Sequence, residues 1–572
     1  MKLKHIQTDV LIIGSGGAGL RCAIELHDNK VDFRVVGKCK KRDAHTILAT
    51  GGINAALGTM DKQDSWQLHA TDTIKDGGGI NNPRMVEILC KNAPTVVKEL
   101  NKWKVGFHKE SSGKITQRFF GAATYRRACF IGDQTGKAIL NTLVDQVLKR
   151  KIQFDSEIYI FSLLQHNGCV NGALGLEVRT GKIIVYHCKK IVLATGGHSR
   201  MFARSSSRFW ENNGDGIYLS QECGAQFMDM EMFQFHPTGM VHPKNMLGTL
   251  VTEAVRGEGG ILTNGHGERF MKNYDAARME LSARDIVARA NYLEVVSGRG
   301  TKHGGVYLDI SHLSKSYILK RLPLMYRQFK KVGIDITKQK MEVAPTAHYS
   351  MGGLVVDPKS GKTTVPNMYA IGEVTSGTHG GNRLGGNSLA EILVFGQLVG
   401  KQVISDINRA KLLPLDHDLV LDKCGKLVSL SGKGKNPITI KKEIQEIMWK
   451  GAGVVRCEKD MLKTLKKLLS YKKCVLGVTS GLKMNEKLIA ALDVRNMIPT
   501  CEMILHCAMK RKESRAAHTR SDYPKTKKSW KKNIFCEISK TGVKTWTNPV
   551  LEPSKQIAKL LTEKDVKYHR LE

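Results

Sequence analysis

The 13 cysteines of this 572-residue chain form no CxxC pair. The nearest neighbours, Cys501 and Cys507, lack ligand-like spacing. That scatter excludes an iron–sulfur cluster or zinc site built from these thiols, so no metal site is expected. An odd, dispersed set points to reduced thiols in a cytosolic setting. Long apolar runs are also missing. None approaches the ~18–20 residues a membrane helix needs. No secretory pattern opens the chain: a first strand is expected by about Thr8, which leaves no room for a cleavable segment. Internal repeats and low-complexity linkers are absent as well.

Acidic residues are scarce, 53 against 89 lysines and arginines, for a formal charge of +36. Such a balance attracts anionic surfaces. Yet the basic residues are spread along the chain, and no stripe interleaves them with aromatics as a single-strand binder requires. A lysine-rich surface without nucleic acid is the favoured account. The densest stretch, Lys525 to Lys532, is a plausible docking region.

What is present is a multidomain α/β pattern. Length alone implies roughly two to four domains. Val10–Ile13 is a short apolar run that feeds Gly14-Ser15-Gly16-Gly17-Ala18-Gly19 and then a helical stretch. Strand, glycine turn and helix in that order cradle a dinucleotide pyrophosphate. Phe33–Val36 and Ile191–Ala194 are further strands, with helices expected between them. Phe33–Val36 leads into Gly37-Lys38, without the acid that often takes a ribose hydroxyl, so NAD is disfavoured. From about Phe233 to His348 sheet-like continuity fades, and His, Arg and Gly concentrate. Strand–glycine–helix texture returns over residues 349–404. The simplest account is a Rossmann-like unit, 1–232 and 349–404, interrupted by an insert over 233–348. A helical region, 405–520, and a small module, 521–572, follow.

Five runs carry a His or Arg, four of them together with glycine: Phe235-His236-Pro237-Thr238-Gly239, Thr252-Glu253-Ala254-Val255-Arg256-Gly257, Ser282-Ala283-Arg284-Asp285, Ala347-His348-Tyr349-Ser350-Met351-Gly352, and Gly381-Asn382-Arg383-Leu384-Gly385-Gly386-Asn387-Ser388-Leu389. A lone His is more often structural, and a lone Arg is usually solvated or paired. Five such runs converging on one cleft would suit a small dianion.

With these runs the chain closely resembles the flavoprotein subunit of succinate dehydrogenases and fumarate reductases. The likeness includes Gly14–Gly19, His45-Thr46 with Gly51-Gly52, and Gly132-Asp133-Gln134-Thr135-Gly136. It extends to Leu492-Asp493-Val494-Arg495-Asn496 and Glu513-Ser514-Arg515-Ala516-Ala517-His518. L-aspartate oxidase shares most of these motifs. It lacks a His at position 45 and tends to carry other residues at Gly385-Gly386. A noncatalytic flavin-binding assembly protein is the alternative of another class; the presence of Arg284 and His348 argues against it.

The resemblance implies an FAD-binding domain interrupted by a capping domain. FAD would rest on Gly14, Ser15, Gly16, Gly17, Ala18 and Gly19. Lys38 would lie near the ribose and Asp215 on the adenosine side. Thr46, Gly51, Gly52, Glu373, Arg383, Ser388 and Leu389 would line the remainder. His45 matches the histidine that carries the covalent flavin. Phe120, His236, Thr252, His348 and Arg383 would hold succinate or fumarate. Arg284 would shuttle a proton through Glu253 and Arg256 while a hydride moves to or from flavin N5. An ion pair with Asp285 or Glu280 is the bland alternative for Arg284. Thr50 and Ala347 depart from the family's usual Gln and Cys. The implied partners are an iron–sulfur subunit together with a membrane anchor or other redox subunit. The chain would then sit peripherally on the cytoplasmic face of the membrane.

Overall fold

The computed structural model describes residues 3–562. Strand β1 (Leu3–Ile13) lies between β2 (Phe33–Gly37) and the long strand Lys182–Leu193, parallel to both. Its residues alternate between two cores: Val10 and Ile12 face one, Leu11 and Ile13 the other. A parallel strand covered on both faces needs an unbroken apolar run, and Val10–Ile13 supplies it. β1 begins at Leu3, ahead of the expected Thr8, because its polar first half still pairs with residues 183–188.

The sheet has seven strands. Phe154–Ser156 forms an edge beside β2. Lys182–Leu193 pairs antiparallel with Cys169–Glu177, which pairs with Ile158–His166. The far end of Lys182–Leu193 pairs parallel with Met368–Ala370. The helices expected before Ile191 therefore give way, over Ile158–Leu193, to an antiparallel meander. Asn167 (φ 49°) and Gly168 (φ 76°) make its tight turn, as an Asn-Gly pair favours.

Sheet structure does not fade between Phe233 and His348. Four antiparallel strands run in the order Phe233–Met240, Met341–Ser350, Val306–Asp309, Ile261–Thr263. They enclose their own apolar cluster, including Met240, Leu262, Phe270 and Met325. Register shifts at Gln234/Phe235 and His236/Gly239 break the two-residue alternation and hide the strand from a periodicity reading. The chain enters and leaves this segment on neighbouring strands, with His236 opposite Thr346 and Phe235 opposite Ala347.

Helix Asn387–Ile407 runs through the boundary expected at 404. Helices Pro437–Ala452, Glu458–Lys472 and Glu486–Lys510 pack together beyond it. The last module is not a free appendage. Its hairpin, Lys532–Ser539 with Gly542–Pro549, pairs with Phe227–Met228, which in turn pairs with Gly353–Leu354. Arg511 fastens the junction through Glu231 at 2.7 Å and through Asp229 and Glu513, all fully or almost fully buried. Residues 563–572 of the expected 521–572 module lie outside the described residues. Among the described residues no helix is long and apolar enough to cross a membrane, and no cluster of His, Cys, Asp or Glu could hold a metal ion.

Candidate active site

One cleft of about 1710 Å³, part of it open to solvent, joins the β1 turn to Arg284. At one end, helix α1 (Gly17–Asp28) follows the glycine turn. Its first turn carries no acid and no side-chain cap from Gly16, so the N–H groups of Ala18 and Gly19 remain for an anion. Gly14 has φ +120°, and a Cβ there would lie 2.0 Å from the Ala194 carbonyl oxygen. A Cβ on Gly19 would meet the Gly14 oxygen at the same distance, so this glycine packs helix on strand. Gly17 N–H donates to Thr46 Oγ1 at 3.1 Å, which ties the His45 segment to the turn. Lys38 Nζ is 2.9 Å from Asp215 and 3.4 Å from Asp493. Burial opposes its charge, but those two carboxylates outweigh burial and raise its pKa. The buried Thr195 hydroxyl faces the cleft without a protein partner. Glycine cradle, open helix terminus, Lys38–Asp215 pair and cleft length fit a dinucleotide such as FAD.

His45 lies midway along the cleft. Its Nδ1 is 3.2 Å from Glu211 Oε2, leaving Nε2 for a ligand. Burial opposes protonation of His45, yet the Glu211 hydrogen bond and the charges of Glu211 and Glu373 together outweigh it and raise the pKa. Glu211 is itself gripped by Arg208, which also binds Asp43. Burial pushes the Glu211 carboxyl up, but His45 and Arg208 bring it down to about 2.

The other end is built on the two neighbouring strands. Arg284, at the start of helix Arg284–Glu294, donates from Nε to Glu253 Oε2 at 2.7 Å, and its Nη2 is ion-paired with the same oxygen at 2.5 Å. Its Nη1 donates to Gln234 Oε1 at 3.0 Å. Glu253 also accepts from the Gly121 N–H at 2.8 Å. Arg256 lies behind it, 4.0 Å away. Burial favours the neutral acid, but Arg284 and then Arg256 hold the Glu253 carboxyl down at about 2. Arg383 donates to the same Gln234 oxygen at 3.0 Å and sits 4.5 Å over the Tyr349 ring. Burial, then the Arg284 charge, lowers Arg383 to about 10. The His236 and His348 rings are 5.2 Å apart. His348 Nδ1 is engaged by Ser206 at 2.9 Å, and His236 Nδ1 by Thr238. Burial and the surrounding cations push both well below the ordinary imidazole range, so both are neutral.

Residues 9–389 match the family described as FAD binding domain, and residues 441–559 match the fumarate reductase flavoprotein C-terminal family. A Methanothermobacter marburgensis protein, named as a subunit of fumarate reductase (CoM/CoB), is 41% identical, over 94% of this chain and 98% of its own. The succinate dehydrogenase flavoprotein subunit of Rickettsia bellii is 34% identical, over 94% of each chain. The chain belongs to the succinate dehydrogenase/fumarate reductase flavoprotein family. A chain of E. coli quinol fumarate reductase has the same fold, with a TM-score of 0.90 at 30% identity, covering 97% of this chain and 99% of that one. The protein is accordingly a multidomain α/β oxidoreductase flavoprotein, and FAD is its cofactor.

Most residues singled out from the family motifs converge on the cleft. Ser15, Gly16, Gly17 and Ala18 line it with Gly14, Lys38, Thr46, Gly51, Gly52 and Asp215. Phe120, Thr252, Glu373, Ser388 and Leu389 line it too. Gly19 and Arg256 do not: Gly19 packs against β1, and Arg256 stands behind Glu253. Arg284 is not tied up by Glu280, which pairs with Arg269 at 2.6 Å. Thr50 faces the cleft, whereas Ala347 is buried in its strand outside the lining. The motif reading passed over Gln234, Tyr349 and Glu211. Gln234 stands two residues before the noticed His236. Glu211 is 166 residues from His45, and no local pattern links them.

Proposed function

We propose that this chain is the FAD-bearing catalytic subunit that interconverts succinate and fumarate. The observation that carries this reading is the Arg284 end of the cleft, where a bidentate Arg284–Glu253 pair stands beside Arg383 and two neutral imidazoles. Arg383 supplies the charge for a substrate carboxylate, and His236, His348 and Thr252 supply hydrogen bonds. Neutral histidines donate without adding charge, so a dianion is not overheld. Phe120 packs on the substrate carbons and excludes water. Succinate gives up a hydride from one carbon and a proton from the other. Arg284 takes or returns that proton, and Glu253 with Arg256 connects it to the exterior. FAD, bound along the glycine turn, Lys38, Asp215 and the His45 segment, supplies the two-electron chemistry. We further propose that it is bonded to His45 Nε2, the nitrogen that Glu211 leaves open.

Electrons then pass to an iron–sulfur subunit, then to a quinone through a membrane anchor or another redox subunit. The complex would be peripheral on the cytoplasmic face, and co-purification from native membranes with a cysteine-rich partner is the expected result. The relative named for CoM/CoB favours a second reading, fumarate reduction fed by CoM/CoB. The proposed units are the FAD-binding portion 1–232 with 349–404, the capping insert 233–348, the helical region 405–520 and the C-terminal module.

The deciding assay uses purified protein with artificial electron dyes and offers succinate, fumarate and L-aspartate. Turnover of succinate or fumarate is expected. Turnover of L-aspartate alone would move the chain to L-aspartate oxidase, and binding of FAD without any turnover would favour the assembly-protein reading. Separately, acid precipitation should leave the flavin on the protein, with its mass on a tryptic peptide containing His45. Complete release of flavin from correctly assembled protein would remove the covalent bond.

A further inference from the structure

Gln234 is fully buried, and its side-chain amide uses all of its bonding capacity. Oε1 accepts from Arg284 Nη1 and from Arg383 Nη2, each at 3.0 Å. Nε2 donates to Asn382 Oδ1 at 2.7 Å and to the Arg383 carbonyl at 2.8 Å. Asn382 is saturated in turn: its Nδ2 donates to Asp76 at 3.2 Å and to Asp285 at 3.1 Å. The polarity of this hydrogen-bond relay is therefore set from both ends. The two guanidiniums only donate, and an ionised acid at the far end only accepts, so the Asn382 NH₂ group faces the acids and the Asn382 oxygen faces Gln234. That oxygen holds the Gln234 NH₂ group and turns the Gln234 oxygen toward the two guanidiniums. Flipping either amide would set N–H against N–H in a dry site, where an unmade bond costs most.

We propose that Gln234 is a positioning residue, a neutral carbonyl bridge oriented through Asn382 by the Asp76–Asp285 pair, that holds Arg284 and Arg383 side by side for a dicarboxylate. The proposal rests on the succinate–fumarate reading of the cleft. Two like charges beside each other need a shared acceptor to stay together. A carboxylate there would do so by neutralising them, and would compete with the substrate for Arg383. An amide oxygen holds both forks in place and leaves their charge for the ligand. Burial, then the neighbouring Asp285, pushes the Asp76 carboxyl up to about 8, and with a proton on Asp76 the donor-only guanidiniums still fix the Gln234 oxygen toward themselves.

The test compares flavin-loaded wild type with Gln234→Met, Gln234→Glu and Asn382→Leu. Each is assayed for kcat and KM with succinate and fumarate, and for affinity toward malonate, an unreactive dicarboxylate, by calorimetry. Gln234→Met frees both arginines, so kcat should fall by ~10–100-fold, as small misplacements of a reacting group do. Its malonate affinity should change by less than about fivefold, because Arg383 keeps its charge and its seat over Tyr349. Gln234→Glu should weaken malonate by at least ~10-fold through competition for Arg383. Asn382→Leu touches neither guanidinium through its side chain, yet should reproduce the kcat loss of Gln234→Met. Circular dichroism and flavin content screen out unfolded variants, and with three variants the comparison survives the loss of one. An active wild type whose Gln234→Met turns over within about twofold of it, or whose Gln234→Glu binds malonate normally, would overturn the proposal. A wild type that turns over neither acid would overturn the succinate–fumarate reading itself, and this proposal with it.

Discussion

Arg284→Lys is expected to lower turnover at least ~100-fold, the low end for loss of general acid–base catalysis. The substitution keeps the positive charge and removes the planar fork. Arg284 uses Nε and Nη2 on Glu253 and Nη1 on Gln234. A lysine ammonium cannot meet both neighbours and still face the substrate carbon. KM should change far less, because in the proposed mechanism Arg383, His236 and His348 hold the carboxylates. Steady-state kinetics in both directions, with artificial dyes, checks the split. Near-normal turnover of the lysine variant would take proton transfer away from Arg284.

His45→Ser should still bind FAD, because the residues proposed to hold the pyrophosphate and ribose are at the β1 turn, Lys38 and Asp215. The flavin should become fully extractable by acid. Succinate oxidation should suffer much more than fumarate reduction, since losing the bond lowers the flavin potential and a lower potential favours giving electrons. For a two-electron couple each ~30 mV shifts the equilibrium tenfold, so a drop of ~60 mV suffices for a ~100-fold bias. Potentiometric titration beside the two initial rates is the measurement. Equal losses in both directions would mean that His45 acts on something other than potential.

Local signals carried most of what could be read beforehand. The turn Gly14–Gly19 and the apolar run Val10–Ile13 are contiguous, and their physics is complete within about ten residues. His236, His348, Arg284 and Arg383 were recognisable only as members of a family pattern; nothing in their spacing brings them together. The register of Phe233–Met240 against Met341–Ser350 brings the two histidines together, and its bulges erase the alternation that would have revealed it; Arg284 and Arg383 join them through Gln234. The meander over Ile158–Leu193 was missed although Asn167-Gly168 announced its turn. The Arg208–Glu211 grip on His45 and the Gln234–Asn382 relay are products of tertiary contact. Asn382 and Asp76 are 306 residues apart, and only the folded chain pairs them.

The neighbouring strands that begin and end the insert have an evolutionary consequence. Adjacent strands lie ~4.8 Å apart, so everything beyond Met240 and before Met341 hangs from a stem one strand spacing wide. Changes in the loops of that outer part leave the ends of the stem where they are, provided the ties of Glu253 to Gly121 and of Leu324 and Met325 to Asp133 are kept. Gln234 and His236 ride on one side of the stem, His348 and Tyr349 on the other. Such a layout lets natural selection redesign access in the loops of the outer lobe, but only where Thr252, Glu253, Arg256 and Arg284, which that lobe carries, keep their places against Gln234 and Gly121.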